Sequence, residues 1–199
     1  MFLNELIWRE FYMQILWKWP EVLEVEFNPK FRRMTWRGLN ESGQSERFSR
    51  WCNGESGFPI VDAAMRQLNA TGFMHNRLRM IVAMFLTKDL HLDWRLGERY
   101  FMHQLVDGDI AANNGGWQWS AGSGADAAPY FRIQNPWTQT ARFDPDGEFI
   151  HEWVPELRGV SPAKFHAPPS SELPLAKRYP LPMLDHAKER LEALEMGRF

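Results

Sequence analysis

One short segment, from Asp107 to Trp119, combines acids, amides, glycines and aromatic residues. It holds two aspartates, a pair of asparagines, a Gly-Gly step and two tryptophans. Carboxylates and carboxamides can bind the donor and acceptor edges of a heteroaromatic ring, and glycine lets a flat ligand approach the backbone. The alternative is a helix-capping loop with Asp109 as the N-cap, but capping explains only one of the aspartates. The segment therefore indicates a candidate site for a planar polar ligand.

The hydrophobic pattern along the rest of the chain is helical. Apolar side chains recur at helical spacing over residues 2–18, and Pro20 ends this first helix. Similar patterns predict helices over residues 59–69, 76–88, 94–106, 148–153 and 183–195. Residues 28–58 are expected to form loops with short helical pieces, and residues 130–182 are Pro-rich and expected to be less regular. Because no strand-like alternation occurs, the predicted fold class is all-α.

Individual residues mark the predicted helix ends. Pro59 suits the first position of a helix that Gly72 closes, and Asp93 suits an N-cap. The last helix is expected to turn three leucines inward, namely Leu184, Leu191 and Leu194.

Composition is that of a globular protein, with 44% hydrophobic and 24% charged residues in a chain of 199. This length suits a single domain over residues 1–199 with a sizeable core. No apolar run approaches the roughly 18 residues that span a bilayer, and the start has no signal-peptide pattern, so no membrane partner is expected. Cys52 is the single cysteine, which indicates a reducing compartment and predicts a cytoplasmic location.

Charge and aromatic content bear on the possible partners. The net charge of −2 gives no overall nucleic-acid signature, so DNA binding would require a local basic patch. Ten tryptophans are many for a domain of this size, and they suit either a Trp-rich core or stacking and electron transfer. On the first helix, Glu5, Trp8 and Tyr12 share one face. That face suits a planar polar ligand, although it is also common on a partly buried helix.

The chain resembles the DNA photolyase and cryptochrome family in several stretches, which occur in the family's order. The quoted stretches are Asp-Gly-Asp at 107–109 with Ala-Asn-Asn-Gly-Gly-Trp-Gln-Trp at 112–119, Phe-Leu-Asn-Glu-Leu-Ile-Trp-Arg-Glu-Phe-Tyr at 2–12, Gly-Phe-Pro-Ile-Val-Asp-Ala-Ala-Met-Arg-Gln-Leu at 57–68, Met-His-Asn-Arg-Leu-Arg-Met at 74–80, Asp-Ala-Ala-Pro-Tyr-Phe-Arg-Ile at 126–133 and Pro-Glu-Leu-Arg at 155–158. The match covers residues 2–158, and a Pro-rich segment and terminal helix occupy 159–199. Class I cyclobutane pyrimidine dimer photolyases are the most similar members.

This resemblance implies part of the family's helical FAD-binding domain, with reduced FAD as the active cofactor. The implied cofactor-binding residues are Arg79, Asp107, Gly108, Asp109 and Asn113. Arg79 would pair with Asp107 and keep that acid ionised beside the ring. Asn113 would face the flavin N5 edge, where its amide can serve N5 in either protonation state. No metal site is implied.

The resemblance also implies light-driven repair of cyclobutane pyrimidine dimers in DNA, the reaction of a deoxyribodipyrimidine photo-lyase. Glu5, Trp8 and Asn113 would be the catalytic set. The implied DNA-binding residues are Glu5, Trp8, Arg9, Tyr12, Asn76, Arg77, Met80, Trp119 and Gln139. An electron relay would run through Trp117, Trp94 and Trp36, with Trp51 competing for the role of Trp36. Damaged DNA would be the partner, and the chain would be monomeric.

The match leaves out the family's N-terminal α/β antenna domain and the first helices of its flavin domain. We therefore expect that the chain is a fragment, that alone it binds FAD weakly or not at all, and that it binds no antenna pigment. Two other functions stay open. One is a cryptochrome-type blue-light photoreceptor on the same scaffold, and the other is a cofactor-free helical module that binds a protein partner.

Overall fold

The computed structural model describes residues 2–126, 131–169 and 173–197. Within these ranges the chain forms α-helices, short 3-10 turns and one isolated bridge between Arg37 and Leu92, so the all-α prediction is confirmed. The helices are α1 Phe2–Lys18, α2 Gln44–Asn53, α3 Pro59–Thr71, α4 Asn76–Met84, α5 Trp94–Gln104, α6 Ile110–Ala121, α7 Pro136–Phe143, α8 Glu148–Trp153 and α9 His186–Met196. No described helix is both long and apolar enough to cross a membrane.

The predicted helix ends are present where the capping residues suggested them. Pro59 is the first residue of α3, and Gly72 closes that helix with a φ of +70° that favours glycine. The Asp93 side chain accepts a hydrogen bond from the Arg95 backbone N–H at the start of α5. The helix predicted over residues 76–88 continues past Met84, but its last turn, Phe85–Asp89, is π-helical.

Two helices lie in regions that were expected to be less regular. Helix α2 lies within residues 28–58, where it buries Trp51 and Cys52 despite a polar sequence. Helix α7 begins after Asn135, whose side chain accepts hydrogen bonds from two backbone N–H groups of the first turn. Helix α2 forms because tertiary packing overrides weak local propensity, whereas α7 has a local start signal in Asn135 and Pro136.

The core is aromatic and centres on α3, which buries most of its length. Phe58 packs against Phe85 and Trp137, with ring centroids 4.8 and 5.0 Å apart. Trp51 and Trp117 meet edge to face at 6.1 Å, which joins α2 to α6. Four of the ten tryptophans are therefore core side chains, namely Trp51, Trp94, Trp117 and Trp137.

The terminal helix α9 docks through polar residues, and the prediction that Leu191 faces inward was wrong: it is 61% exposed. His186 Nδ1 lies 2.5 Å from Asp89 Oδ1, and His91 Nε2 lies 2.7 Å from Glu189 Oε2. These buried pairs determine which face of α9 turns inward. Leu184 and Leu194 are partly buried.

Helix α1 packs on α6 but buries none of its side chains fully. Close approach depends on Gly115, because a Cβ there would lie 2.0 Å from the Tyr12 ring. Much of the apolar surface of α1 faces away from α6, so that Leu3 and Ile7 are exposed. The face that does meet α6 is the one that carries Glu5, Trp8 and Tyr12.

Candidate functional site

A cavity of about 400 Å³ lies between α1, α4, α5 and α6. Its wall is made of residues from each of these helices and from the loop that precedes α6. Among the predicted site residues, those that line it are Glu5, Trp8, Arg9, Tyr12, Asn76, Arg79, Met80, Asp107, Asp109, Asn113, Trp117 and Trp119. The structure therefore brings most of the predicted set together, although the set is spread over more than a hundred positions of sequence.

An ion pair marks one edge of the cavity. Arg79 Nη2 donates to both carboxylate oxygens of Asp107, at 2.9 and 2.8 Å, while Arg79 Nε donates to the Met74 carbonyl at 2.7 Å. The second contact holds the guanidinium in one orientation. The arrangement fixes a carboxylate and an arginine side by side where a ligand can reach them.

Asp109 combines the two roles that its sequence left open. Its Oδ1 accepts a hydrogen bond from the Ala112 backbone N–H at 2.8 Å, so it is the N-cap of α6. The same side chain also lines the cavity. Capping therefore fixes the position of a carboxylate in the cavity wall.

Asn113 is oriented by a residue that the sequence analysis missed. Its Nδ2 donates to the Glu98 backbone carbonyl at 3.0 Å and to Glu98 Oε1 at 3.1 Å. Burial raises the pKa of the Glu98 carboxyl, while the hydrogen bond from Asn113 and the charge of Arg99 lower it. With the amide N–H₂ engaged in this way, the Asn113 carbonyl oxygen is the group left to accept a hydrogen bond from a ligand.

Aromatic rings form the opposite side of the cavity. Trp8 and Tyr12 stack with centroids 6.1 Å apart and planes 30° apart, and Trp8 is 52% exposed. The Cζ atom of the Arg132 guanidinium lies 5.0 Å from the centre of the Trp119 ring, over its face. Gly116 is also in the wall, and a Cβ there would meet nothing within 4 Å. The cavity thus has an apolar, flat-sided part beside its polar edge.

Three of the predicted cofactor- and DNA-binding residues do not line this cavity, and neither do the relay residues Trp36 and Trp94. Arg77 packs on Phe143 at 4.8 Å, outside the cavity wall. Gly108 lines a second, shallower groove at the end of α1 that also includes Trp17. Gln139 lies on α7 with its buried Oε1 lacking a hydrogen bond to any described residue. The structure brings none of the three to the main cavity.

The three relay tryptophans are arranged unequally. Trp117 lines the cavity, Trp94 is fully buried in the core, and Trp36 is partly exposed. Trp36 and Trp94 donate their indole N–H groups to one oxygen of Glu26, at 3.4 and 3.2 Å. Trp51 is in direct ring contact with Trp117. Glu26 had no sequence signal, because it lies 68 positions from Trp94.

Part of the motif at residues 126–133 cannot be placed against this site, because residues 127–130 lie outside the described ranges. Asp126 and Arg132, on either side of them, form an ion pair at 3.3 Å.

Comparison with known proteins decides the family. The family model described as the FAD binding domain of DNA photolyase matches residues 2–198. The chain belongs to this family. It is 54% identical, over 98% of its length, to the deoxyribodipyrimidine photo-lyase of Vibrio cholerae. The chain spans about two-fifths of the length of such relatives, 41% in this case.

Solved photolyase-family structures have the same fold. An archaeal photolyase from Sulfolobus tokodaii, determined with two FAD molecules, superposes with a TM-score of 0.89 at 39% identity, covering 98% of this chain and 43% of that one. A cryptochrome from Synechocystis superposes with a TM-score of 0.85 at 32% identity, covering 98% of this chain and 41% of that one. The family fold therefore extends over nearly the whole of the present chain.

Proposed function

We propose that this chain forms part of the FAD-binding domain of a light-driven enzyme that repairs cyclobutane pyrimidine dimers in DNA. One observation carries the proposal: the Arg79–Asp107 ion pair, Asn113 and the two indoles of Trp8 and Trp119 converge on one cavity. The relatives called deoxyribodipyrimidine photo-lyase support the same reaction. The antenna pigment has no proposed site in the described residues.

The donor set of the cavity fits a flavin ring. Arg79 would offer a positive charge and Asp107 and Asp109 would offer acceptors along one polar edge. Asn113 would present its carbonyl oxygen, since Glu98 holds the amide N–H₂. An acceptor at this position suits the N5–H of reduced flavin better than the bare N5 of the oxidised ring. Gly108 would contribute only as backbone between the two aspartates.

When it is bound, reduced FAD supplies the excited electron that splits the dimer, and the protein supplies position and electrostatics. Glu5 and Asn76 would hydrogen-bond the polar edges of the two pyrimidines. Trp8 and Trp119 would stack on the bases, which is worth roughly 1–3 kcal/mol per base. This gain offsets the few kcal/mol needed to flip a damaged base pair out of the duplex. Met80 would fill the apolar space between them.

Arginines in the cavity wall and on the nearby α4 and α7 would suit DNA phosphates despite the acidic total charge. Arg9 lies in the cavity wall, and Arg77 and Arg142 both pack on the exposed ring of Phe143. We include Arg77 among these arginines rather than among the residues that touch the flipped bases. Tyr12 and Gln139 stay lower-ranked candidates for contacts with the DNA backbone. The protein would act as a monomer in the cytoplasm.

Electron supply to the flavin would run from Trp36 through Trp94 to Trp117, which lines the cavity. The Glu26 carboxylate links the first two of these indoles. Trp51 contacts Trp117 directly, so it would provide a second route for electron transfer to Trp117.

A cryptochrome-type photoreceptor is the second candidate, and the Synechocystis neighbour favours it. Glu5, Trp8 and Asn76 in the cavity wall favour repair, because a signalling protein has no need for a pocket that fits bases. A cofactor-free interaction module has less support, since it gives no reason for the Arg79–Asp107 pair and Asn113 to face one cavity.

Repair of a thymine-dimer oligonucleotide under blue light tests the proposal. The chain is incubated without oxygen with excess reduced FAD and the damaged strand, and restored thymines are counted by chromatography. Illuminated samples should show repair that needs FAD and falls in Glu5→Gln and Trp8→Ala variants. Trp17→Ala, on the same helix but outside the main cavity, is the control. Bound FAD without any repair would contradict the assignment and favour the photoreceptor.

A further inference from the structure

We propose that Glu26 is the proton acceptor of the buried indole Trp94, and that it sets how easily the Trp36–Trp94 pair gives up an electron. This inference deepens the proposed function, because it rests on these tryptophans serving as a relay. Nothing in the sequence motifs marks Glu26, and the assignment depends on where the fold places its carboxylate.

A single carboxylate oxygen of Glu26 accepts hydrogen bonds from three side chains. Oε1 lies 3.2 Å from Trp94 Nε1, 3.4 Å from Trp36 Nε1 and 3.2 Å from Arg95 Nη2. The residue is only 5% exposed. A buried carboxylate is costly unless charge and hydrogen bonds compensate it, and here an arginine and two indoles do so. The two indoles therefore share one anionic partner.

Arg95 does not need Glu26 in order to be held in place. Its Nη1 lies 3.0 and 3.3 Å from the Asp93 carboxylate oxygens, and its Nε donates to the Glu24 carbonyl at 2.8 Å. The backbone around Glu26 is also fixed independently, because Phe27 N–H donates to Gln118 Oε1 at 2.7 Å. A neutral glutamine could accept the same indole hydrogen bonds. What the carboxylate adds is negative charge and basicity.

Both properties matter once an indole is oxidised. Loss of one electron turns the indole into a radical cation, whose N–H is a much stronger acid than that of the neutral ring. The carboxylate then takes this proton: the Trp94 N–H bond breaks, an O–H bond forms on Glu26, and a neutral indole radical remains beside a carboxylic acid. The electron would pass to an oxidant, which in the proposed function is flavin that has not yet been reduced.

Trp94 and Trp36 differ in their access to other bases. Trp94 is fully buried, and Glu26 is the acceptor of its N–H among the described residues. Trp36 is partly exposed, so water can also take its proton. Replacing Trp36 by Phe therefore leaves a radical on Trp94 whose deprotonation depends on Glu26.

Ultraviolet laser photoionisation tests this without flavin or DNA, so its outcome is independent of the repair assignment. Light ejects an electron from buried and exposed indoles alike, dissolved oxygen takes up that electron as superoxide, and the cation and neutral radicals of tryptophan absorb at different wavelengths. The radical absorbance of Trp94 is obtained as a difference: it is present in the Trp36→Phe variant and absent from the Trp36→Phe/Trp94→Phe double variant. In Trp36→Phe this absorbance should lose its cation band quickly.

Adding Glu26→Gln to Trp36→Phe should slow that loss by about 100-fold, the size of a typical general-base effect. Glu26→Asp, which keeps a base, should restore part of the rate. An unchanged rate in the Gln variant would overturn the proposal. A second measurement needs no change at Glu26: in Trp36→Phe the rate should not depend on phosphate concentration, and a rate that rises with buffer would identify solvent as the acceptor and refute the role of Glu26.

Discussion

Arg79 and Asp107 form an ion pair at the cavity edge, with one guanidinium nitrogen 2.9 and 2.8 Å from the two carboxylate oxygens. Their side chains are 27% and 48% exposed. Ion pairs with this much exposure contribute little to stability, about 0–1 kcal/mol. The pair is therefore better explained by a ligand that needs both charges than by the needs of the fold.

Replacement of Asp107 should therefore weaken ligand binding more than it lowers stability. In Asp107→Asn the free energy of unfolding should change by less than about 1 kcal/mol. Affinity for reduced FAD should fall about tenfold, because a charged hydrogen-bond partner of Arg79 is lost beside the ligand. Urea unfolding and anaerobic equilibrium dialysis measure the two effects. Asp146→Asn, in an exposed turn, is the control, and an equal loss of FAD affinity there would argue against a role for the pair.

Two helical glycines give a matched pair for stability. A Cβ at Gly97 would lie 2.1 Å from the Trp117 ring and 2.7 Å from Leu86, whereas a Cβ at Gly116 would meet nothing within 4 Å. Gly97→Ala should lower the free energy of unfolding by about 1–3 kcal/mol through overpacking. Gly116→Ala should be neutral or stabilising by up to about 1 kcal/mol, because alanine is the better helix former. Urea unfolding that ranks them the other way round would show that Trp117 does not pack as described.

The sequence predicted which residues line the cavity better than it predicted how they pack. Segment 107–119 and the face of α1 were identifiable because residue type and helical spacing are local properties. The contact of Glu98 with Asn113 depends on how α5 lies against α6, which no local pattern encodes. The contact of Glu26 with Trp94 likewise depends on tertiary packing and joins residues further apart in the sequence. The sequence analysis missed Glu98 and Glu26 for that reason.

In the fold, too, features with local sequence signals were predicted better than features set by tertiary packing. Helices with clear caps, such as α3 and α5, were predicted almost to the residue. The bounds of α2 were not predicted because its sequence is polar, and α7 was missed because it lies in a Pro-rich stretch. Both helices are also stabilised by buried tryptophans, Trp51 and Trp137. Contacts between histidines and carboxylates that are distant in sequence determine the orientation of α9. The leucine pattern therefore gave a wrong prediction for Leu191.

The buried Asp89 carboxyl predicts a pH dependence of stability. Its pKa is raised from 3.8 to about 6: burial is the largest cause, the hydrogen bond and charge of His186 oppose it, and the charge of Glu189 adds to it. The folded state therefore binds this proton more tightly than the unfolded state does. The resulting stabilisation is present below pH 3.8 and is lost as the pH rises through about 6.

Asp89→Asn removes this titration. Between pH 4 and 7 the native chain should lose about 2–3 kcal/mol relative to the variant, as the size of the pKa shift implies. Urea unfolding at several pH values gives the difference between the two curves. Parallel curves over that range would show that Asp89 does not hold its proton in the folded state.

Replacement of Trp8 by alanine should lower the affinity for damaged DNA and change the free energy of unfolding little. It is 52% exposed in the cavity wall, so Trp8→Ala removes a stacking surface rather than a core side chain. Affinity for a thymine-dimer oligonucleotide should fall by about 1–3 kcal/mol, with a smaller effect on an undamaged strand. Fluorescence anisotropy at fixed salt measures both. Trp17→Ala, whose side chain is 87% exposed on the same helix, should leave the preference for damage unchanged.

The cavity between α1, α4, α5 and α6 is the proposed site of the flavin ring. The most direct test of this proposal is anaerobic equilibrium dialysis of reduced FAD against the native chain, Gly116→Leu and Trp17→Ala. Leucine at position 116 projects into the cavity without meeting protein atoms near its Cβ. We predict one weak site per chain, which is lost in Gly116→Leu and retained in Trp17→Ala. Equal FAD binding by all three chains would contradict the account.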